Sequence, residues 1–236
     1  MNHTVTVTVT VDNSPMDIYV ARPENAAAPA PAILVFQEAF GVNAHIRDVA
    51  DRFAKLGFTA IAPELFHRTG RGVEGSYTDF AALAPHFGAL TREGLEADVD
   101  ATHAWLKSDA AIDAARVSAI GFCMGGRVAY LANARLPLTA AVSFYGGGIA
   151  PDLLPLASKQ HAPILMFWGG RDGHILPEHY RAVADALTKA EKVHEQVVFG
   201  QADHGFFCDA RASYNAQAAP QAWALTLAFL QAYAAY

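Results

Sequence analysis

Residues 121–126, Gly-Phe-Cys-Met-Gly-Gly, place a thiol midway between two glycines, each two residues away. The spacing is that of a strand-turn-helix elbow, with cysteine where a serine nucleophile often stands. A turn this sharp strains its central residue, and side chains at the flanking positions would collide, so glycine is required there. In return the central side chain stands exposed at a strand end and at a helix N-terminus. There the helix dipole and unpaired N–H groups favour a thiolate, and the amide of Met124 can serve as an oxyanion donor. The competing reading is that Cys123 is a small buried residue in a glycine-rich turn. An apolar strand pattern before it and a helical pattern after it favour the nucleophile.

A thiol nucleophile needs a base and a group to orient the base. In this type of architecture the acid and then the histidine follow the nucleophile along the chain. Asp172 lies in GGRDGH (169–174), just past a predicted strand, and His204 lies in GQADHGFF (200–207), past the last predicted strand. Both therefore fall at the C-terminal edge of a parallel sheet, where active sites form. His174 is a second candidate base, but it lies too close to Asp172 in sequence to be oriented by it readily. Asp203 adjoins His204, so the two side chains point apart, and it is read as a loop-shaping residue. Asp172 alone could also be an ordinary turn aspartate. His161 precedes a strand and belongs at the opposite edge.

The elements that position these residues follow from the hydrophobic pattern. Residues 4–11 alternate threonine and valine, predicting a strand with one apolar face. Turn residues DNSP (12–15) and a second strand at 16–22 complete an antiparallel hairpin at a sheet edge. Residues 24–32 form an Ala/Pro connector inside the domain. Strands are then predicted at 32–38, 58–64, 116–122, 138–147, 162–170 and 193–200. Helices are predicted at 43–57, 91–109, 124–134, 177–190 and 220–233, with a further helical stretch interrupted at Pro85. Residues 65–78 read as a glycine-rich loop near the surface. Eight strands and about six helices in this order predict an α/β fold: a mostly parallel sheet with helices on both faces, one domain over residues 1–236.

Composition narrows the function classes. Of 236 residues, 53% are hydrophobic and 17% charged, enough for a substantial core. The net charge is −6 and lysines and arginines do not cluster, which argues against a nucleic-acid partner. The N-terminal residues lack the pattern of a signal peptide, and no apolar run reaches the ~20 residues of a membrane helix. Two cysteines do not make a disulfide framework, so the expected setting is cytoplasmic, with reduced thiols. The expectation is a monomer or weak dimer without membrane association.

Four motifs together resemble the dienelactone hydrolase (carboxymethylenebutenolidase) family of the α/β-hydrolase superfamily. They are QEAFGVN (37–43), GFCMGGR (121–127), GGRDGHILP (169–177) and DHGFF (203–207). The resemblance covers nearly the whole chain. It implies a Cys123–His204–Asp172 triad, no metal or cofactor, and hydrolysis of small lactones or enol esters in the degradation of aromatic compounds. It also gives Glu38 a role: the matching glutamate holds the thiol proton in the resting enzyme until substrate binding releases the thiolate. A structural salt bridge to an arginine is the alternative for Glu38. The second oxyanion donor would be the amide of Ala39. Family members bind the substrate carboxylate with two arginines, for which this chain offers no position-by-position match. Arg71, with Arg68 and Tyr77 in the same loop, and Arg211 beyond His204 are the candidates. Tyr145 and Phe40 are further pocket candidates. Two rival readings stand beside this one: a general short-chain esterase or thioesterase with the same triad, and a non-catalytic thiol that senses oxidants or binds ligands. Cys208, after two phenylalanines, reads as a packed thiol.

Overall fold

The fold is that of a computed structural model, which describes residues 3–24 and 29–234. Eight strands run in chain order: β1 (His3–Val11), β2 (Ser14–Arg22), β3 (Ala30–Phe36), β4 (Thr59–Pro63), β5 (Ile112–Phe122), β6 (Ala140–Phe144), β7 (Ile164–Gly169) and β8 (His194–Phe199). Six α-helices alternate with them: α1 (Ala44–Lys55), α2 (Ala84–Gly88), α3 (Arg92–Ser108), α4 (Met124–Arg135), α5 (Pro177–Lys189) and α6 (Ala218–Ala234). A 3-10 helix at Leu154–Lys159 was not legible in the periodicity. The strand order β1-β2-β4-β3-β5-β6-β7-β8 is that of the mostly parallel α/β-hydrolase sheet with an N-terminal antiparallel hairpin. The chain divides into two compact units, one running to Val117 and the other from Ser118. The predicted connector at 24–32 lies partly outside the described residues.

In the first unit the hairpin forms because β1 alternates. Its threonines are exposed, Val5, Val7 and Val9 are half-buried, and Val11 is buried. Asp12 and Asn13, both at positive φ, make the two-residue turn that pairs Val11 with Ser14. The turn fixes the register, so Asp17 faces Thr8 and Tyr19 faces Thr6. β2 pairs antiparallel with β4, and β4 runs parallel to β3. Both β3 and β4 are buried along their whole length, and apart from Thr59 their side chains are apolar on both faces. Helix α1 begins where the Asn43 side chain accepts the Ile46 N–H, and it packs on β4 and β3. Helix α3 is capped by Thr91, which accepts the Gly94 N–H. Pro85 is the second residue of the short helix α2, where it needs no N–H donor, and does not interrupt a longer one.

In the second unit β5, β6, β7 and β8 pair in parallel succession. Helix α4 covers β6, α6 packs on β6 and β7, and α5 packs on β8. Phe144 at the end of β6 is the hub of an aromatic cluster, with Phe122, Phe167, Phe206 and Phe207 all within 6.2 Å between ring centroids. Phe122 and Phe144 are the last residues of β5 and β6, so the cluster gathers at the C-terminal ends of these strands. Among the described residues no helix is long and apolar enough to cross a membrane.

Candidate active site

Cys123 is the residue between β5 and α4. Its backbone sits at φ 56°, ψ −117°, outside the regions that a non-glycine residue normally occupies. The turn is held on both sides: the Cys123 N–H donates to Phe144 O (3.0 Å), and Cys123 O accepts the N–H of Gly126 (3.0 Å). A Cβ on Gly121 would lie 1.9 Å from Gly125 O, so no side chain fits there. Gly126, which the elbow spacing does not single out, is equally constrained: a Cβ on it would come within 2.7 Å of Phe144 O. The strained thiol, partly exposed, thus stands at the first turn of α4, whose leading amide belongs to Met124.

Asp172 follows β7 and is buried, with 6% of its surface exposed. Its Oδ1 accepts the backbone N–H groups of His174 (2.8 Å) and Ile175 (3.1 Å). That leaves Oδ2 aimed at His204, whose Nδ1 lies 2.7 Å away. The other ring nitrogen of His204, Nε2, lies 3.0 Å from Cys123 Sγ. Sulfur, imidazole and carboxylate therefore form one continuous chain. Burial pushes the His204 pKa down, but the hydrogen bonds to Asp172 and Cys123 and their charges outweigh it and carry it to about 10. For Asp172, burial acts upward, and the His204 bond, the charge on His204 and the two backbone N–H groups bring the net shift below the usual carboxylate value. The carboxylate on one side and the sulfur on the other thus favour the protonated form of the ring, the form that would accompany an attacking thiolate.

His174 is not the orienting partner's base. It gives its backbone N–H to Asp172, and its exposed ring stands edge-on to His204 at 5.5 Å. Tyr145, at φ 39°, is buried, with its ring 5.1 Å from His204 on an edge-to-face approach. The guanidinium of Arg211 packs over Gly205, where a Cβ would be only 2.1 Å from Nη1, and so lies beside the imidazole's own backbone. Both cysteines are thiols, and Cys208 is fully buried.

The remaining predicted residues lie in the first unit. Strand β3 ends at Phe36, two residues earlier than the pattern suggests, so Glu38 and Ala39 stand on the connector to α1. Glu38 is fully buried, and its carboxylate lies within 4.8 Å of a His45 ring nitrogen. Phe40 meets Tyr77 edge-on at 4.7 Å, and the Tyr77 hydroxyl accepts from Asn43 Nδ2 (2.9 Å). Arg71 forms a two-pronged ion pair with Asp17 (2.6 and 2.7 Å) and reaches Thr8. Arg68 is occupied by Asp98 and Asp12. The spacing that flagged both arginines could not show these partners, because hairpin register and α3 place them.

The family model for the dienelactone hydrolase family matches residues 16–234. The chain belongs to this family. As a member it is a carboxylic ester hydrolase of the α/β-hydrolase fold. It is 38% identical over 229 residues to a provisionally named carboxymethylenebutenolidase of Synechocystis sp., covering 92% of this chain and 93% of that one. A provisionally named carboxymethylenebutenolidase of Escherichia coli (strain K12) is 36% identical over 234 residues, covering 94% and 83%. Among solved structures, a provisionally named dienelactone hydrolase of Klebsiella pneumoniae subsp. pneumoniae superposes on this hydrolase with a TM-score of 0.89. The two are 33% identical, and the match covers 99% of this chain and 100% of the other. A dienelactone hydrolase-like promiscuous phosphotriesterase from metagenomic libraries superposes at 0.86 with 25% identity over 98% of both chains.

Proposed function

We propose that the protein hydrolyses small lactones or enol esters of the carboxymethylenebutenolide type, with Cys123 as nucleophile. The observation that carries this reading is His204 hydrogen-bonded at once to Cys123 Sγ (3.0 Å) and Asp172 Oδ2 (2.7 Å). In the resting enzyme Glu38 takes part in holding the thiol proton, and substrate binding releases the thiolate. The thiolate attacks the substrate carbonyl, and the amides of Met124 and Ala39 stabilise the oxyanion, each contributing ~2–4 kcal/mol. The carbonyl carbon–oxygen bond to the leaving group breaks, and an enolate departs, a better leaving group than a simple alkoxide. Water, oriented by His204 and deprotonated by the imidazole or by the enolate, then cleaves the thioester. The products are a carboxylate, the protonated enol of the leaving group (tethered to that carboxylate when the substrate is a lactone) and the regenerated thiol. Asp172 fixes the imidazole tautomer throughout. Tyr145, packed against His204, and Arg211, packed over Gly205, are proposed to meet the substrate, with Phe40, Tyr77 and Arg71 as further candidates.

Dienelactone and p-nitrophenyl acetate assayed side by side test the substrate class. Turnover of dienelactone that is lost in Cys123→Ala supports the reading. Turnover of p-nitrophenyl acetate alone makes the enzyme a general short-chain esterase, and turnover of neither leaves a thiol without hydrolytic function.

A further inference from the structure

Glu64 is a buried acid that the mechanism above does not use. It sits one residue beyond β4 and is only 5% exposed. Its backbone N–H still donates to Asp17 O (2.9 Å), extending the β2–β4 ladder. Its side chain turns instead to the glycine-rich loop, where Oε1 accepts the N–H of Val73 at 2.9 Å, closing a link nine residues long. Oε2 is buried and makes no hydrogen bond of good geometry among the described residues. A buried carboxylate oxygen in that state is destabilising. Burial and the neighbouring Asp17 raise the Glu64 pKa, against the lowering by the Val73 and Gly72 N–H groups and by His67. The acid thus holds the loop at Val73 while its second oxygen stays poorly satisfied.

The loop that Glu64 holds grips the connector between β3 and α1 residue by residue. The carbonyl of Val73 rests on Gly41 so closely that a Cβ there would lie 1.8 Å from it, and Gly41 itself is at φ +80°. Arg47 joins the next loop residue, Glu74, to Val42 O, through bonds of 2.6 Å to each. Gly75 N–H donates to Phe40 O (3.1 Å). Three successive loop residues thus set the course of residues 40–42, immediately after Glu38 and Ala39. At the other end Gln37 Oε1 accepts the Leu65 N–H (3.0 Å), so the connector is bracketed by one loop.

We propose that Glu64 is a positioning residue: it clasps the loop at Val73, and the loop in turn fixes the connector that presents the Glu38 carboxylate and the Ala39 amide to the reaction. The inference rests on the functional reading above, in which those two groups act on the thiol and the oxyanion. An oxyanion donor displaced by about an ångström loses on the order of 10²-fold in rate.

The test compares Glu64→Ala and Glu64→Gln in the full chain, with kcat and KM for p-nitrophenyl acetate and amide hydrogen exchange across residues 72–76. In Glu64→Ala, kcat falls on the order of 10²-fold while KM changes little, and the Val73 and Gly75 amides exchange faster. Glu64→Gln keeps an acceptor for Val73 and recovers most of the rate. Full kcat in Glu64→Ala, or unchanged exchange at Val73, overturns the proposal. Should Glu64→Ala not fold, Glu64→Asp, one methylene short of Val73, carries the same readouts. If the unsubstituted protein turns over no ester, the functional reading fails and the kinetic role of Glu64 fails with it, while the exchange data still decide whether the clasp exists.

Discussion

The Nε2 atom of His204 lies 3.0 Å from the Sγ of Cys123, although 81 residues separate them along the chain. Two strand ends and two loops of the second unit must be correct together for that distance to arise, and it is the relation on which the proposed catalysis by the thiol turns.

Replacing Cys123 with alanine removes the proposed nucleophile and leaves the elbow, because the backbone hydrogen bonds of the turn involve only main-chain atoms. We expect kcat for p-nitrophenyl acetate to fall by roughly 10⁴-fold or more, with the circular dichroism spectrum unchanged. Turnover near the original level would show that another group attacks.

Asp172→Asn offers His204 Nδ1 a neutral partner in place of a carboxylate. The His204 pKa should drop from about 10 toward its ordinary range, followed by its ring-proton shift in an NMR titration. Activity should fall by about 10⁴-fold through the wrong tautomer. A His204 titration that does not move would contradict the assigned hydrogen bond.

The same shift predicts how stability depends on pH. His204 has a folded pKa of about 10, above the 6.5 of an unfolded histidine, so the native state keeps a proton that the unfolded chain has released. Its contribution is complete below pH 6.5 and is lost as pH rises through 10. Urea midpoints measured at steps across that interval should decline, and the decline should be shallower in His204→Gln. Asp172, with its pKa lowered, acts on the acid side: its contribution is present above 3.8 and is lost as pH falls below it.

Gly121→Ala should prevent the elbow from closing, since the new methyl would stand 1.9 Å from Gly125 O. Backbone rather than a flexible side chain occupies that space, so the cost should reach about 3 kcal/mol or more, read as a lowered Tm or loss of soluble protein. A Tm equal to that of the parent would mean the turn differs from the one described.

Much of this arrangement could be read from the sequence, for local reasons. Gly121 and Gly125 bracket Cys123 because a tight turn demands it, and Asp172 and His204 each follow an apolar run that could only be a strand. The threonine-valine alternation of 4–11 and the Asp12–Asn13 turn likewise declare a hairpin. What escaped is what depends on chain segments meeting at a distance. Glu64 looks like any polar residue after a strand until a loop folds back to give it Val73. Arg71 looks like an available anion binder until the hairpin register brings Asp17 beneath it. Gly126 reads as an ordinary helix glycine until β6 lies against it. Strand β3 stops at Phe36, and the Gln37 side chain beyond it accepts from Leu65, a partner that periodicity does not reveal.

The phenylalanines that follow His204 have one more consequence. Phe206 and Phe207 are sunk into the rings of Phe144, Phe122 and Phe199, two and three positions after the imidazole. The imidazole therefore rides on a stiff mount and not on a free loop tip. Its alignment should not be a soft spot that fails before the rest on warming: loss of turnover and loss of near-ultraviolet ellipticity should trace a single melting curve.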